Sequence, residues 1–248
     1  MTFVSKKYSL SKTRLYSFLD DLENNVDGSA VSLYLPPGLN AQEIEESVIS
    51  AGMNEVPDGL PGMIENSRGG AATFYNGKVI HTVLPAFPIK EKVIFTDYAT
   101  EPLRTLMDID YRIGIILVHL GSYAVGLCKG EKIVTSKVGT GLVHGRHRKG
   151  GSSQQRFQRR RQNQANEFLD RVCERAIEHL SPQEKELDYI IYGGPRQTVL
   201  QLKKRCPFLQ SLEERELSLI DVPEIRQPVL EKALNRIWMS SIIEWREE

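Results

Sequence analysis

The sequence predicts an α/β fold in which a mixed β-sheet is flanked by helices. Strand-like and helix-like patterns alternate along the whole chain instead of separating into blocks. Three strand patterns follow one another at 111–120, 123–128 and 132–138, joined by short connections. A long amphipathic stretch then runs from about 155 to 180, with apolar residues at helical spacing.

In chain order, Ser11, Lys12 and Thr13 read as the start of a helix reaching about Glu23, with Leu15, Phe18, Leu19 and Leu22 on one face. Residues 1–28 are expected to form a helical lead. Residues 30–35 alternate as a strand, which Pro36-Pro37-Gly38 stops. A second helix is predicted over 41–53, and the Gly-, Pro- and Asn-rich stretch 54–71 reads as a loop. Residues 72–74 and 79–84 form strands around Asn76-Gly77, a strong hairpin signal. A short strand and a helix near 102–107 precede the central three strands, and Lys129-Gly130 supplies the turn between the last two.

The long helix carries Phe157, Ala165, Phe168, Leu169, Val172, Ala176 and Leu180 as its buried stripe. An apolar strand at 189–192 leads through Gly193-Gly194-Pro195 into a helix near 196–204. An amphipathic helix over 224–245 closes the reading, with Leu230, Leu234, Ile237, Trp238 and Ile242 inward. No internal repeat or low-complexity linker forces a cut. One domain over 1–248 is therefore expected, with 108–110 as the alternative boundary.

At 40% hydrophobic and 26% charged residues, the 248-residue chain can bury a sizeable core. No signal-peptide pattern and no apolar run of about 18 residues appears, so a cytoplasmic protein without a membrane span is expected. Cys128, Cys173 and Cys206 are odd in number and lack CxxC spacing. That pattern reads as reduced thiols, against disulfides and against a structural zinc.

Formal charge balances at 32 basic and 32 acidic residues, but its distribution does not. From Lys132 to Asn166 there are nine Lys or Arg and no Asp or Glu. Such polarity within a neutral chain marks a local anion-binding surface. At its centre, residues 144–161 read HGRHRKGGSSQQRFQRRR.

Several chemistries fail on this stretch. A phosphate-binding P-loop needs Lys then Ser or Thr after its second glycine, and Gly151 stands where the lysine belongs. Gly139-Thr140-Gly141 with Gly145 misses the dinucleotide fingerprint in spacing, and no acid follows about 20 residues on. His144 and His147 lack a carboxylate or thiol partner nearby, so neither metal nor cofactor is expected. No Gly-x-Ser-x-Gly elbow is present. Gly-Gly-Ser-Ser alone is flexible-linker composition, yet a linker seldom joins a strand to a long patterned helix with this much arginine. Arg146, Arg148, Lys149, Arg156, Arg159 and Arg160 are the candidates to meet RNA phosphates. Arg161 lies nearer the apolar stripe.

The order strand, basic loop, Gly-Gly, small residues, Gln, long basic helix resembles the middle domain of archaeal and eukaryotic class-1 peptide release factors, which carry Gly-Gly-Gln at a loop tip. It is more similar to the Vms/Ankzf-type peptidyl-tRNA hydrolases, whose tip is Gly-x-x-Gln. Gly151-Ser152-Ser153-Gln154 fits that pattern, and Gln155-Arg156-Phe157 with the arginines beyond resembles the prokaryotic branch. The likeness is densest from Gly139 to Leu180 and extends, by order of elements, from Ala30 onward over most of the chain. The strict Gly-Gly-Gln triplet and room for a stop-codon-reading domain are both absent.

The resemblance implies an RNase H-like middle domain with a mobile glycine/glutamine loop opening into the basic helix. It implies hydrolysis of the ester between nascent peptide and tRNA on stalled ribosomal complexes, in ribosome rescue and quality control. Gln154 would position water and stabilise the oxyanion, with Gly150, Gly151, Ser152, Ser153 and Gln155 forming the tip. A register shift of one would give the role to Gln155. The partners implied are peptidyl-tRNA and the large ribosomal subunit at its peptidyl-transferase centre, with no obligatory protein partner. The large subunit supplies part of the active site, which accounts for the missing acid–base pair. Two alternatives stand beside this: a nuclease removing the tRNA CCA end, and a non-catalytic RNA- or ribosome-binding module.

Overall fold

The computed structural model describes all residues except 1–2, 25–29, 54, 144–152, 218, 223–224, 226–227 and 248; of Ser153, Gln154 and Glu247 it describes the backbone only. The chain divides into two compact units, 1–109 with 236–248, and 110–235. The passage from the first to the second falls at Ile109/Asp110.

The first unit begins with β1 (Phe3–Leu10) and α1 (Lys12–Asn24). Then come β2 (Val31–Leu35), α2 (Ala41–Ser50), α3 (Leu60–Glu65), β3 (Ala71–Tyr75), β4 (Val79–Leu84), β5 (Val93–Phe95) and α4 (Glu101–Asp108). The second unit holds β6 (Arg112–His119), β7 (Ser122–Lys129), β8 (Lys132–Thr140), α5 (Ser153–Leu180), β9 (Tyr189–Gly193), α6 (Arg196–Arg205) and α7 (Pro207–Gln210). α8 (Val229–Ile237) ends at the return to the first unit, which β10 (Ser240–Glu247) completes.

The first unit is built on a six-stranded antiparallel sheet, ordered β1-β10-β4-β3-β2-β5. α2 and α3 bury Ile44, Val48, Leu60 and Ile64 against Leu33, Leu35, Ile80, Ile243 and Trp245 of one sheet face. A capping box starts α2, with the Asn40 side chain accepting from the Glu43 N–H at 3.0 Å and the Glu43 carboxylate accepting from the Asn40 N–H at 2.9 Å. On the other face Phe18 of α1 meets His81 of β4 edge-on, ring centroids 5.5 Å apart.

Three expectations need correcting. Residues 3–10 are a strand and not part of a helical lead; FVSKKYSL pairs along its length with β10, Leu10 opposite Ser240 and Phe3 opposite Glu247. The predicted helix over 224–245 stops at Ile237, and 240–247 is a strand between β1 and β4. Its SSIIEWRE carries the β-branched and aromatic residues that suit a pleated surface, and the sheet partner decided the outcome. Within 54–71, six residues form α3, with Pro61 in its first turn, where a missing N–H costs nothing.

The second unit matches the expected mixed sheet, ordered β8-β7-β6-β9. β6, β7 and β8 are successive antiparallel neighbours, and β9 lies parallel to β6. α5 covers this sheet through Phe168, Leu169, Val172, Ala176 and Leu180, packed with Ile116, Val118, Tyr123, Val125 and Leu127. Burying aliphatic and aromatic side chains contributes roughly 1.5–3 kcal/mol each, so this seam is what holds the helix.

The cysteine reading also changes. Cys173 on α5 and Cys206 at the end of α6 form a disulfide, Cα atoms 5.6 Å apart, across a separation of 33 residues. Cys128 is free and buried, and burial pushes its thiol up to about 12.

Candidate nucleic-acid interface

The acid-free stretch begins on β8, an edge strand with most of its side chains exposed on both faces. At its end the chain passes two tight places. A Cβ at Gly139 would fall 2.5 Å from the Tyr123 ring. One at Gly141 would fall 2.6 Å from Phe168 and 2.8 Å from the Arg171 guanidinium. The Gly141 N–H donates to the Gly121 carbonyl at 2.9 Å, holding the exit from β8 against the β6–β7 turn. The Gly-Thr-Gly that resembles part of a dinucleotide fingerprint therefore has a packing reason for its glycines.

Beyond this point Val143 packs on the core while Leu142 is 70% exposed. His144, Arg146, His147, Arg148, Lys149, Gly150, Gly151 and Ser152 lie outside the described residues, as do the side chains of Ser153 and Gln154. α5 starts at Ser153, so Ser153, Gln154 and Gln155 occupy its first turn. The first backbone N–H groups of a helix have no partner within it, and together they carry about half a positive charge. Gln154 thus belongs to the electropositive end of the helix.

From Gln155 to Gln164 no side chain is buried; the first buried position is Ala165. That is about 15 Å of helix at 1.5 Å per residue. Gln155, Arg156, Arg159 and Arg160 are all exposed, and Arg161 is half-buried as its nearness to the stripe suggests. Among the described residues Arg156, Arg159 and Arg160 have no carboxylate partner. Two later arginines do: Arg205 grips Asp170 through two hydrogen bonds of 2.8 and 2.6 Å, and Arg175 pairs with Glu178. Unpaired guanidinium groups at one end of a helix leave that end free for phosphate.

Phe157 is a departure from the expected stripe. It is 58% exposed, whereas Phe168, at the same helical phase three turns on, is 1% exposed. Spacing tells which face a residue shares; it does not tell how far the sheet beneath reaches. The signal that could have found it is the company it keeps, an aromatic among arginines. Among the described residues no group of His, Cys, Asp and Glu is arranged to hold a metal, and no helix is long and apolar enough to cross a membrane.

The chain is 31% identical over 160 residues to peptide chain release factor subunit 1 of Methanopyrus kandleri, matching 64% of this chain and 39% of that protein. It is 26% identical over 246 residues to the Archaeoglobus fulgidus protein of the same description, matching 86% of this chain and 60% of that one. The chain thus spans less than two thirds of the length of these relatives. Among solved structures, that of archaeal translation termination factor aRF1 aligns at 20% identity with a TM-score of 0.38, over 92% of this chain and 73% of that one. A family model described as Actinobacteria/chloroflexi VLRF1 release factor matches residues 111–243. Those residues are more than half of the sequence, and the chain belongs to the VLRF1 release-factor family that the model describes.

Proposed function

We propose that this protein is a cytoplasmic peptidyl-tRNA hydrolase that frees nascent peptide from tRNA on stalled ribosomal complexes, with the large subunit as its partner. The observation that carries the reading is the exposed opening of α5, where Gln154 stands in the first turn beside unpaired arginines in a stretch free of acids. Membership in a release-factor family supports it.

The reaction asks little acid–base chemistry of the protein. Water attacks the ester carbonyl carbon, the carbonyl oxygen becomes an oxyanion, and the 3′ oxygen of the terminal adenosine leaves and takes up a proton. The products are a peptide carboxylate and a tRNA with an intact 3′ end. A glutamine amide both donates and accepts hydrogen bonds, so Gln154 orients the water. A backbone N–H of the first helical turn donates to the oxyanion, where an anion is already favoured. Gly150 and Gly151 let the approach fit a narrow site that a Cβ would obstruct. Arg146, Arg148, Lys149, Arg156, Arg159 and Arg160 meet RNA phosphates and hold the tip in place.

The test is release of peptide from defined large-subunit complexes carrying peptidyl-tRNA, with peptide and tRNA ends both read. Gln154→Ala should lower the release rate on the order of 10²–10³-fold, the loss typical of removing a positioned polar group at a tetrahedral centre. Full activity in Gln154→Ala with loss in Gln155→Ala would move the role by one residue. A tRNA shortened at its CCA end would replace hydrolysis with nuclease action. Binding that survives both substitutions without any release would leave a module that only grips.

A further inference from the structure

Leu142 and Phe157, at 70% and 58% exposure, are the two most exposed large apolar side chains among the described residues, and in sequence they flank the basic stretch that begins at His144. Val134, Ile177, Leu200 and Leu219 of the second unit are exposed as well, but among the described residues Phe157 is the exposed aromatic of that group. An isolated exposed aliphatic needs no explanation, but an exposed aromatic set among exposed arginines on one helix is a local feature.

We infer that Phe157 is a stacking platform for an unpaired RNA nucleobase. This rests on the proposed action on tRNA for the source of the base. Three facts favour a nucleobase over an apolar peptide as the occupant. Arg156, Arg159 and Arg160 are exposed on the same helix without carboxylate partners, and no acid occurs from Lys132 to Asn166. Arg160 is three residues from Phe157 and shares its face, so a base on the ring brings its phosphate within reach of a guanidinium. An aromatic face interleaved with arginines is the surface that unpaired bases use, since every base has a π-face and each sugar carries a phosphate. Position 154 also lies three residues before Phe157 on that face, so a stacked base would lie one helical turn from the glutamine. Phe157 is a positioning residue here, acting on where the nucleotide lies.

The experiment uses Phe157→Trp in the full chain. The native Trp238 and Trp245 are 2% and 3% exposed, so the unsubstituted protein serves as a fluorescence blank. Adding a short single-stranded RNA ending in CCA should quench the new indole, and the same strand with abasic 3′ positions should not. Phe157→Ala should bind that RNA roughly 5- to 100-fold more weakly, the range for one base–aromatic stack. Quenching by the CCA strand and by deacylated tRNA alike assigns the base to the tRNA end; quenching only by large subunits assigns it to ribosomal RNA.

Unchanged RNA affinity in Phe157→Ala together with no quenching overturns the inference, as does quenching by an apolar peptide and not by RNA. The two readings fail separately. Loss of release in Gln154→Ala with an inert Phe157 leaves hydrolysis standing and removes the stack. Quenching with no release of peptide by the unsubstituted protein does the reverse.

Discussion

Gly141 lies so close to Phe168 that a Cβ at the glycine would stand 2.6 Å from Cδ2 of the ring, with an Arg171 guanidinium nitrogen at 2.8 Å on another side. The place where the chain leaves the sheet is thereby clamped to the helix that resumes after the loop. Gly141→Ala should destabilise the second unit by about 1–3 kcal/mol through overpacking, read as a lower denaturant midpoint. Gly139→Ala, pressed on the Tyr123 ring, should do likewise. Thr140→Ala between them, at an exposed position, should stay within about 0.5 kcal/mol of the parent protein.

The Cys173–Cys206 bridge closes a loop of 33 residues within the second unit. Chain entropy assigns a bridge of that span about 3–4 kcal/mol. Reduction, or the paired change Cys173→Ala with Cys206→Ala, should lower the unfolding midpoint. Cys128→Ala, which keeps the bridge, should lose as much on reduction as the parent protein, while the paired variant should be insensitive to reductant. Equal midpoints with and without reductant would show that the bridge contributes nothing.

His81 carries a pH dependence in the first unit. Burial lowers its pKa below the usual 6.5, against the opposing pull of Glu244 at 4.0 Å. A histidine kept neutral by the fold adds stability that is complete above the unfolded pKa near 6.5 and is lost as pH falls from there through the lower folded value. Thermal midpoints should therefore drop between pH 7.5 and 5.5, and His81→Gln should flatten that drop. An identical slope in both proteins would locate the acid sensitivity elsewhere.

The arginines at the start of α5 should govern salt dependence. Replacing Arg156, Arg159 and Arg160 together by Gln should reduce the slope of log affinity for single-stranded RNA against log salt by about 2, at roughly 0.7 per phosphate released. Arg205→Gln should leave the slope alone, because that guanidinium is already held by Asp170. Filter binding between low and moderate salt measures both.

The sequence was most legible where contacts are local. β6, β7 and β8 pair with their immediate neighbours through short turns, so periodicity and the Lys129-Gly130 turn suffice to find them. The seam of α5 from Ala165 to Leu180 followed from helical spacing. β1 and β10 were misread for the opposite reason: each takes its conformation from the other, across nearly the whole chain. An eight-residue segment with mixed patterning is decided by its partner. Cys173 and Cys206 likewise meet only because α5 and α6 fold together, and no spacing rule reports that. For the candidate site, charge distribution and the Gly-x-x-Gln spacing single out the start of α5, while exposure of Phe157 depended on where the sheet ends.

The placement of β10 has a consequence for the order in which this chain can fold as it is made. β1 is synthesised first, but among the described residues it pairs with β10 alone, which follows the entire second unit. β4 waits for the same strand on one of its edges. Residues 110–235 hold all their own strands and can fold while the first unit is still open. Until β10 leaves the ribosome, a nascent copy therefore carries two unfilled strand edges, and a copy cut short before 240 would keep them as surfaces for misassembly or proteolysis.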